Sequence, residues 1–269
     1  MKRVTLYIGL ACIGLVVVLA LVGLVWTPFD PTALGDEQLL PPGWPHLLGT
    51  DGFGADVLSR VMSGARICLL VGVLSVAGAA AVGVPLGVAA GMTRGWVSEL
   101  PLRFSDILYG FPALLLAILF AAAVGGSTWT ALVAISLSTI PAFVRIARAA
   151  TLQVMSQGYV EAARLSGTPT VSIARRHVLP NIAPVLGVQA SVSFGIAILA
   201  EAGLSYLGLG SGPDQPTWGR MLREAQDYLF SEPLLALWPG LAIAVATLGF
   251  NLLGDGLRDL LDPRLREVT

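Results

Sequence analysis

The sequence predicts an all-α integral membrane protein with six transmembrane helices, and three observations lead to that prediction. The chain is 55% hydrophobic and has a mean hydropathy of +0.78. Only 12% of its 269 residues are charged, about half the usual share of a soluble domain. The apolar residues form long uncharged blocks, as membrane-spanning helices require. The net charge of −1 gives no indication of binding to nucleic acid.

Basic residues precede the first span and flank the second. A helix needs about 20 apolar residues to cross the hydrocarbon core of a bilayer. The first predicted span, residues 6–26, follows Lys2 and Arg3. Its length favours a retained helix over a cleaved signal sequence, whose apolar core is shorter. The second predicted span lies between Arg66 and Arg94.

The other four spans follow from apolar stretches of different length. The uncharged stretch over residues 107–144 is too long for one span. Gly125-Gly126-Ser127-Thr128 lies at its middle, so we expect two helices joined by a tight turn. The fifth span covers about residues 182–206, and the sixth covers about residues 233–254.

Basic residues predict the orientation, because cytoplasmic segments carry an excess of lysine and arginine. Segments on one side of the predicted membrane hold twelve of these residues, and segments on the other side hold four. The richer segments are residues 1–5, 92–106, 145–181 and 255–269. We therefore expect both termini in the cytoplasm and two extracytoplasmic segments, residues 27–66 and 207–232.

This topology divides the chain into two parts. Residues 1–66 hold the first helix and an extracytoplasmic segment, in which residues 55–62 form an amphipathic stretch expected on the membrane surface. Residues 67–269 form a five-helix core with a long cytoplasmic loop. Glycines recur every fourth residue in the second span, at Gly83, Gly87 and Gly91. Such spacing lets another helix approach closely, either within this chain or from a partner chain.

Two acidic residues lie in or beside the predicted spans. Asp106 begins the third span three residues after Arg103, and an ion pair between them is the expected explanation. Glu201 lies near the outer end of the fifth span. An acid at such depth is costly and is a candidate for lining a polar pathway, with snorkelling to the outer interface as an equal alternative.

Several kinds of catalytic site are excluded. Lys2 is the only lysine, so the chain lacks the phosphate-binding loop of the form GxxxxGK[ST]. Its two histidines, His46 and His177, lie far apart on predicted opposite sides, which argues against a histidine-based metal site. No GxSxG motif or cysteine–histidine pair indicates nucleophilic catalysis.

The cytoplasmic loop, residues 145–181, predicts two short helices around a glycine. Apolar residues recur at helical spacing up to Ala163, which indicates an amphipathic helix. Gly167 can end it in the left-handed conformation. Thr168 can cap a second helix with Pro169 at its first position, and Pro180 is expected to mark its end. A rigid protrusion of this kind is suited to docking into another protein, and a merely structural loop is the alternative.

The loop also resembles a known family. Glu161-Ala162-Ala163, followed by Gly167 and by Leu179-Pro180, resembles the EAA loop of bacterial ABC importer permeases. In that family the loop forms coupling helices that sit in a cleft of an ATPase subunit. Residues 176–181, with His177 where the family pattern has an aliphatic residue, resemble the variant found in the dipeptide, oligopeptide and nickel branch.

Three further segments resemble the same branch in the same order. The first precedes the second span and contains Gly49-Thr50-Asp51, Gly54, Asp56, Ser59-Arg60 and Gly64-Ala65-Arg66. At Ala55 the branch usually has arginine. The second segment covers residues 204–210 and 216–219, and the third covers residues 254–264. The first and third are similar to the second permease of the pair, the C-type subunit.

The resemblance implies a type I-like ABC importer permease in the bacterial inner membrane. A second, related permease would form a heterodimer with this chain, two ATP-binding cassette subunits would bind the loop, and an extracytoplasmic binding protein would deliver substrate. ATP and magnesium would bind to the ATPase subunits, so the chain itself would be neither an enzyme nor a cofactor-binding protein. Dipeptides or short oligopeptides are the expected substrates, with nickel complexes or related small molecules as alternatives.

Two other functions compete with this one. A stand-alone secondary transporter or channel usually has charged groups near the bilayer midplane and inverted repeats. The sequence offers only Glu201 as such a group and has no strong repeat. An intramembrane enzyme would need a catalytic dyad or metal ligands, and the sequence contains no recognisable set.

Overall fold

A computed structural model describes residues 2–212 and 215–261, in which the regular secondary structure is helical. Ten α-helices follow one another in this described part of the chain: α1 (Lys2–Val25), α2 (Val57–Met92), α3 (Trp96–Tyr109), α4 (Ala113–Val124), α5 (Thr128–Met155), α6 (Gly158–Leu165), α7 (Thr170–Ile173), α8 (Leu179–Tyr206), α9 (Trp218–Ala225) and α10 (Leu234–Leu261). A π-helical turn, Ala174–Val178, joins α7 to α8, and a 3₁₀ turn, Gln226–Tyr228, follows α9.

Five helical stretches are long and apolar enough to cross a membrane. They are Val4–Val25, Val57–Met92, Thr128–Met155, Thr170–Tyr206 and Leu234–Leu260. The pair α3 and α4 supplies a sixth crossing if its two bent halves count as one span. The all-α membrane architecture expected from the sequence is therefore confirmed, with five continuous spans and the bent pair as the candidate for the sixth.

The break in the third span was not predicted. Helices α3 and α4 meet at an angle of 84°, and the predicted loop over residues 92–106 is mostly helix α3. Gly110 and Pro112 lie at the break, and Pro112 caps α4 with φ −55°, an angle that its ring fixes. The predicted turn at residues 125–128 is confirmed, because α4 ends at Val124 and α5 begins at Thr128.

Residues 55–62 do not form a separate surface helix as the sequence suggested. Asp56 caps α2, and its Oδ2 atom accepts a hydrogen bond of 2.8 Å from the Ser59 backbone N–H. Residues 57–62 form the first turns of this 36-residue helix. Their side chains are largely buried, with Val57 1% exposed and Ser59 0% exposed. The prediction failed because this amphipathic stretch is covered by protein and not by lipid.

Helix α2 packs closely on α5 through its three spaced glycines. A Cβ atom on Gly87 would lie 2.5 Å from the Val144 carbonyl oxygen and 2.7 Å from the Ala147 Cβ atom. Cβ atoms on Gly83 and Gly91 would also collide with residues of α5. The glycines therefore serve packing within this chain, the first of the two predicted uses.

We predict that Gly87→Ala destabilises the chain whereas Gly187→Ala in α8 does not. The added methyl group at position 87 would force α2 away from α5, at a cost of about 1–3 kcal/mol. A Cβ atom at position 187 meets no neighbour within 4 Å, so this variant is a matched control. The measurement is the thermal unfolding midpoint of each purified variant in detergent. A Gly87→Ala midpoint equal to that of Gly187→Ala would contradict the proposed packing.

Candidate functional site

The candidate site is the corner, which we define as residues 156–178 between α5 and α8. The chain bends at Gly167, between α6 and α7. From α7 it remains helical through the π-helical turn and into α8. Two short helices on either side of Gly167 were expected, and this arrangement is confirmed. The second helix begins at Thr170 with Pro169 as its cap, one residue later than predicted.

The second helix does not end at Pro180, so that prediction is wrong. Proline has no amide hydrogen, and its ring collides with the carbonyl group four residues earlier in a regular α-helix. The π-helical turn widens the backbone just before Pro180, and there the Leu179 N–H donates to the Ala174 carbonyl, five residues earlier. The chain therefore remains helical from the corner into the long helix α8.

Gly167 ends α6 in the left-handed conformation, with φ +76°. The Gly167 N–H donates to the Arg164 carbonyl at 3.0 Å, and the Thr168 N–H donates to the Ala163 carbonyl at 3.1 Å. These two bonds define a Schellman motif, which satisfies carbonyl groups at a helix end. The predicted role of Gly167 in the backbone is therefore confirmed.

The inner side of the corner is held by a buried apolar cluster. Its fully or almost fully buried members are Val88, Ala147, Ala150, Val160, Ile173, Val178 and Ile182. These residues come from the ends of α2 and α5, from both short helices, from the π-helical turn and from the start of α8. The cluster therefore attaches the corner to three of the long helices.

The outer side of the corner has an apolar tip. Leu165 is 85% exposed and Val171 is 73% exposed, and they lie on either side of Gly167. Glu161 and Arg164 on α6 are also exposed. An exposed apolar patch rimmed by charged groups is typical of a protein interaction site.

The structure brings the six residues implied by the resemblance to the corner and its junction with α8. Glu161 and Ala162 lie on the exposed face of α6. Ala163 and Leu179 are half-buried and pack against the apolar cluster. Pro180 is exposed in the first turn of α8, and Gly167 forms the bend between α6 and α7.

Glu201 lies far from the corner on the same helix. It follows Leu179 by 22 residues (201 − 179), which corresponds to about 33 Å of α-helix. The residue is 2% exposed, and its Oε1 atom accepts a hydrogen bond of 2.6 Å from the Ser205 hydroxyl. The carboxyl group is therefore enclosed by the helices of this chain.

A buried ion-pair network on the Glu201 side was missed by the sequence analysis. Arg60 in α2 pairs with Asp51 in the preceding loop and, at 2.6 Å, with Glu224 in α9. Arg60 is 7% exposed and Asp51 is 8% exposed. The network therefore joins the two segments that the sequence assigns to the outer side. Arg60 and Glu224 are 164 residues apart along the chain (224 − 60), and a local sequence pattern does not reveal such a contact.

Trp218 strengthens the same joint between the two outer segments. Its side chain is 1% exposed, and its Nε1–H donates to the Val61 carbonyl at 2.9 Å. The ring lies against Gly64. Thr217 caps α9 by accepting a hydrogen bond from the Arg220 backbone N–H. The residue run 216–219, singled out by its resemblance, therefore fixes α9 on α2.

Asp106 does not pair with Arg103 as expected. Arg145 in α5 donates to Asp106 Oδ1 at 2.8 Å and also lies over the Tyr109 ring, 4.2 Å from its centroid. Arg103 instead pairs with Glu99 at 3.5 Å, one helical turn away. The predicted ion pair was wrong because the partner of Asp106 comes from α5, and a local sequence pattern does not reveal a contact with a distant helix. Arg145 therefore holds the end of α3 beside its break.

The remaining predictions concern metal ligands and the C-terminal segment. Among the residues that the structure describes, no group of three histidine, cysteine or acidic side chains is arranged to hold a metal ion. Of the C-terminal segment 254–264, residues 254–261 belong to α10, and residues 262–264 lie outside the described residues.

Comparisons with known proteins agree with the resemblance. Residues 83–267 match the family described as "Binding-protein-dependent transport system inner membrane component". The chain is 40% identical to the glutathione transport system permease protein GsiD of Pectobacterium atrosepticum, over 94% of this chain and 86% of that protein. It is 41% identical to the di/tripeptide transport system permease protein DppC of Pseudomonas aeruginosa, over 97% and 88% of the two chains.

A solved structure has a similar fold. A chain of the methionine ABC transporter MetNI, in an inward-facing conformation, superposes with a TM-score of 0.60 and 19% sequence identity. The match covers 78% of this chain and 96% of the solved chain. With the family match and the relatives above, it follows that this multi-pass membrane protein belongs to the family of inner membrane components of binding-protein-dependent transport systems.

Proposed function

We propose that this chain is the C-type permease subunit of an ATP-driven ABC importer. It forms a heterodimer with a second, related permease, and the two chains enclose the translocation pathway in the lipid bilayer. Family membership supports this function over a stand-alone secondary transporter or channel. Residues 1–66 contribute an N-terminal helix and an outer segment, and residues 67–269 form a five-helix core. Helix α2 continues across the boundary between these two parts.

The corner binds a partner ATPase subunit in this proposal. The observation that carries it is the exposed apolar tip formed by Leu165 and Val171 on a corner whose inner side is already packed. A cleft that covers this tip gains hydrophobic burial, and Glu161 at the rim contributes electrostatic specificity. ATP and magnesium bind to the two ATPase subunits, which hydrolyse ATP, while this chain converts their closing motion into gating of the pathway.

The outer segments receive the binding protein. The ion pairs of Arg60 with Asp51 and Glu224 hold the two segments together. A partner therefore meets one preformed surface and orders little of it on binding, which favours association.

Short peptides are the proposed substrates. The named relatives transport glutathione, itself a tripeptide, and di- or tripeptides according to their descriptions. Dipeptides or short oligopeptides remain the proposed class, with nickel complexes and related small molecules as alternatives. Uptake by the complete complex in the presence of competing ligands distinguishes these classes.

We predict that both termini and the corner are cytoplasmic. In a background with Cys12 and Cys68 replaced by alanine, Asp36→Cys should react with a membrane-impermeant thiol reagent added outside intact cells. Ser172→Cys on α7 should react only after the membrane is opened. The reverse labelling pattern would contradict the orientation inferred from arginine and lysine.

We predict that Gly167→Val and Glu161→Ala insert normally, bind the second permease and lose substrate uptake. Valine at φ +76° costs roughly 1 kcal/mol or more, which favours a different angle between α6 and α7. Glu161→Ala removes a charge from the exposed face of α6 without disturbing the packed side. The measurements are co-purification of the subunits, ATP hydrolysis and peptide uptake in reconstituted vesicles. Full uptake by both variants would remove the main support for ATPase coupling through the corner.

We propose that Glu201 acts in gating the pathway, and we predict that Glu201→Gln changes uptake while the complex still assembles. Glutamine keeps the size of the side chain but cannot carry its charge. Uptake and subunit co-purification are measured for this variant and for Ser205→Ala, which removes the hydrogen-bond donor and retains the carboxyl group. Parent-level uptake by Glu201→Gln would argue that the acid has no pathway role.

A further inference from the structure

A polar bridge joins α6 to the first turn of α8 on the exposed side of the corner. The side-chain nitrogen of Asn181 lies 2.6 Å from the His177 carbonyl oxygen and 3.3 Å from the Tyr159 hydroxyl oxygen. One amide group has two hydrogens and can donate to both oxygens. The Tyr159 ring also packs against the His177 imidazole, with centroids 5.8 Å apart. These contacts connect the start of α6 to the π-helical turn.

The bridge lies where backbone hydrogen bonding is irregular. The π-helical turn covers residues 174–178, and Pro180 follows without an amide hydrogen. This junction is therefore held by fewer regular helical bonds than the rest of α8. The Asn181 amide provides a side-chain donor to the His177 carbonyl at that point. Irregular turns of this kind occur frequently at functional sites.

The buried cluster and the polar bridge constrain the corner in different ways. Val160 and Val178 are 0% exposed, and their packing holds α6 near the π-helical turn. Apolar packing is largely non-directional, whereas hydrogen bonds require a defined geometry. The bridge therefore adds a directional constraint to the position of α6 on its apolar base.

Such a rotation would move the face that we assign to the ATPase. Tyr159 and Glu161 are two residues apart on α6, which places them about 200° apart around an α-helix. Tyr159 contacts the start of α8, so Glu161 points away from it. A rotation of α6 that changes the Tyr159 contact therefore also moves Glu161 on the opposite face.

We propose that Asn181 is a positioning residue that sets the angle at which α6 presents Glu161 to the ATPase. Through this angle it determines how much substrate is moved for each ATP hydrolysed. The inference rests on the proposed function of the corner. Asn181 touches neither substrate nor nucleotide in this proposal, and it acts through Tyr159 and the His177 carbonyl.

The test uses the complete complex in vesicles, with radiolabelled alanyl-alanine as the transported probe and ATP hydrolysis measured in parallel. Asn181→Ala removes the bridge, and Tyr159→Phe removes only the hydroxyl acceptor and keeps the ring packing. We expect both variants to retain the ATPase subunits and to move roughly two- to tenfold less probe per ATP, the factor that corresponds to one lost hydrogen bond. Thr93→Ala, outside the corner, is the matched control, because its 2.7 Å hydrogen bond to the Ala89 carbonyl stays within the end of α2 and does not bridge two helices.

A second measurement does not depend on the probe. Spin labels at positions 158 and 185, on α6 and α8, report the distance between the two helices in the complex, and a Cβ atom at position 158 meets no neighbour within 4 Å. Asn181→Ala should broaden this distance distribution, and Thr93→Ala should leave it unchanged.

Three results would overturn the proposal. The first is that both bridge variants move as much probe per ATP as the parent while Glu161→Ala still loses uptake. That result would exclude the role of Asn181 but would leave the proposed coupling function of the corner intact. The second is loss of the ATPase subunits from Asn181→Ala, which would make this residue a docking contact. The third is an unchanged distance distribution. Full uptake by Glu161→Ala and Gly167→Val would instead argue against the proposed function itself.

Discussion

The close contact between α2 and α5 is the interaction on which the rest of the structure depends. Where Gly87 meets Val144, backbone packs directly on backbone with no side chain between them. Such contacts suit a membrane interior, because lipid offers no hydrophobic driving force between helices and close packing has to hold them. One end of α2 carries the buried joint with α9, and one end of α5 leads into the corner. The contact therefore fixes the two proposed partner-binding regions relative to each other.

Helix α8 provides a second rigid connection between these regions. It is continuous with α7, so the chain from Thr170 to Tyr206 forms one helical stretch. Backbone groups inside a bilayer have to be satisfied within the chain, which makes a long unbroken helix stable there. The same stretch contains Leu179 at the corner and Glu201 near the other end. In the proposed function, this continuous stretch connects the corner to the surroundings of Glu201, and the π-helical turn is an irregular point within it.

Most of the fold could be predicted from the sequence, because each continuous span is an apolar block bounded by charges or turn residues. The bend at Gly167 was also predictable, since a single residue there sets the backbone angle. Helix α3 was missed because its charged residues, Glu99, Arg103 and Asp106, interrupt the apolar block, although it still forms a helix. Pro180 was taken as a helix end because a π-helical turn leaves no pattern in the sequence. The pairs of Arg60 and Arg145 could not be predicted, since their partners come from distant elements.

The inner side of the corner is packed against the rest of the chain, whereas its outer side is exposed. This difference bears on how the corner binds a partner. Each buried valine or isoleucine side chain of the inner cluster contributes about 1.5–3 kcal/mol, so this packing stabilises the shape of the corner. Leu165 and Val171 are exposed instead, and in the proposed function the ATPase subunit covers them. Because the tip is preformed, a partner gains their burial without ordering the loop first. A preformed surface can also transmit force, because the buried cluster behind the tip connects it to α5 and α8.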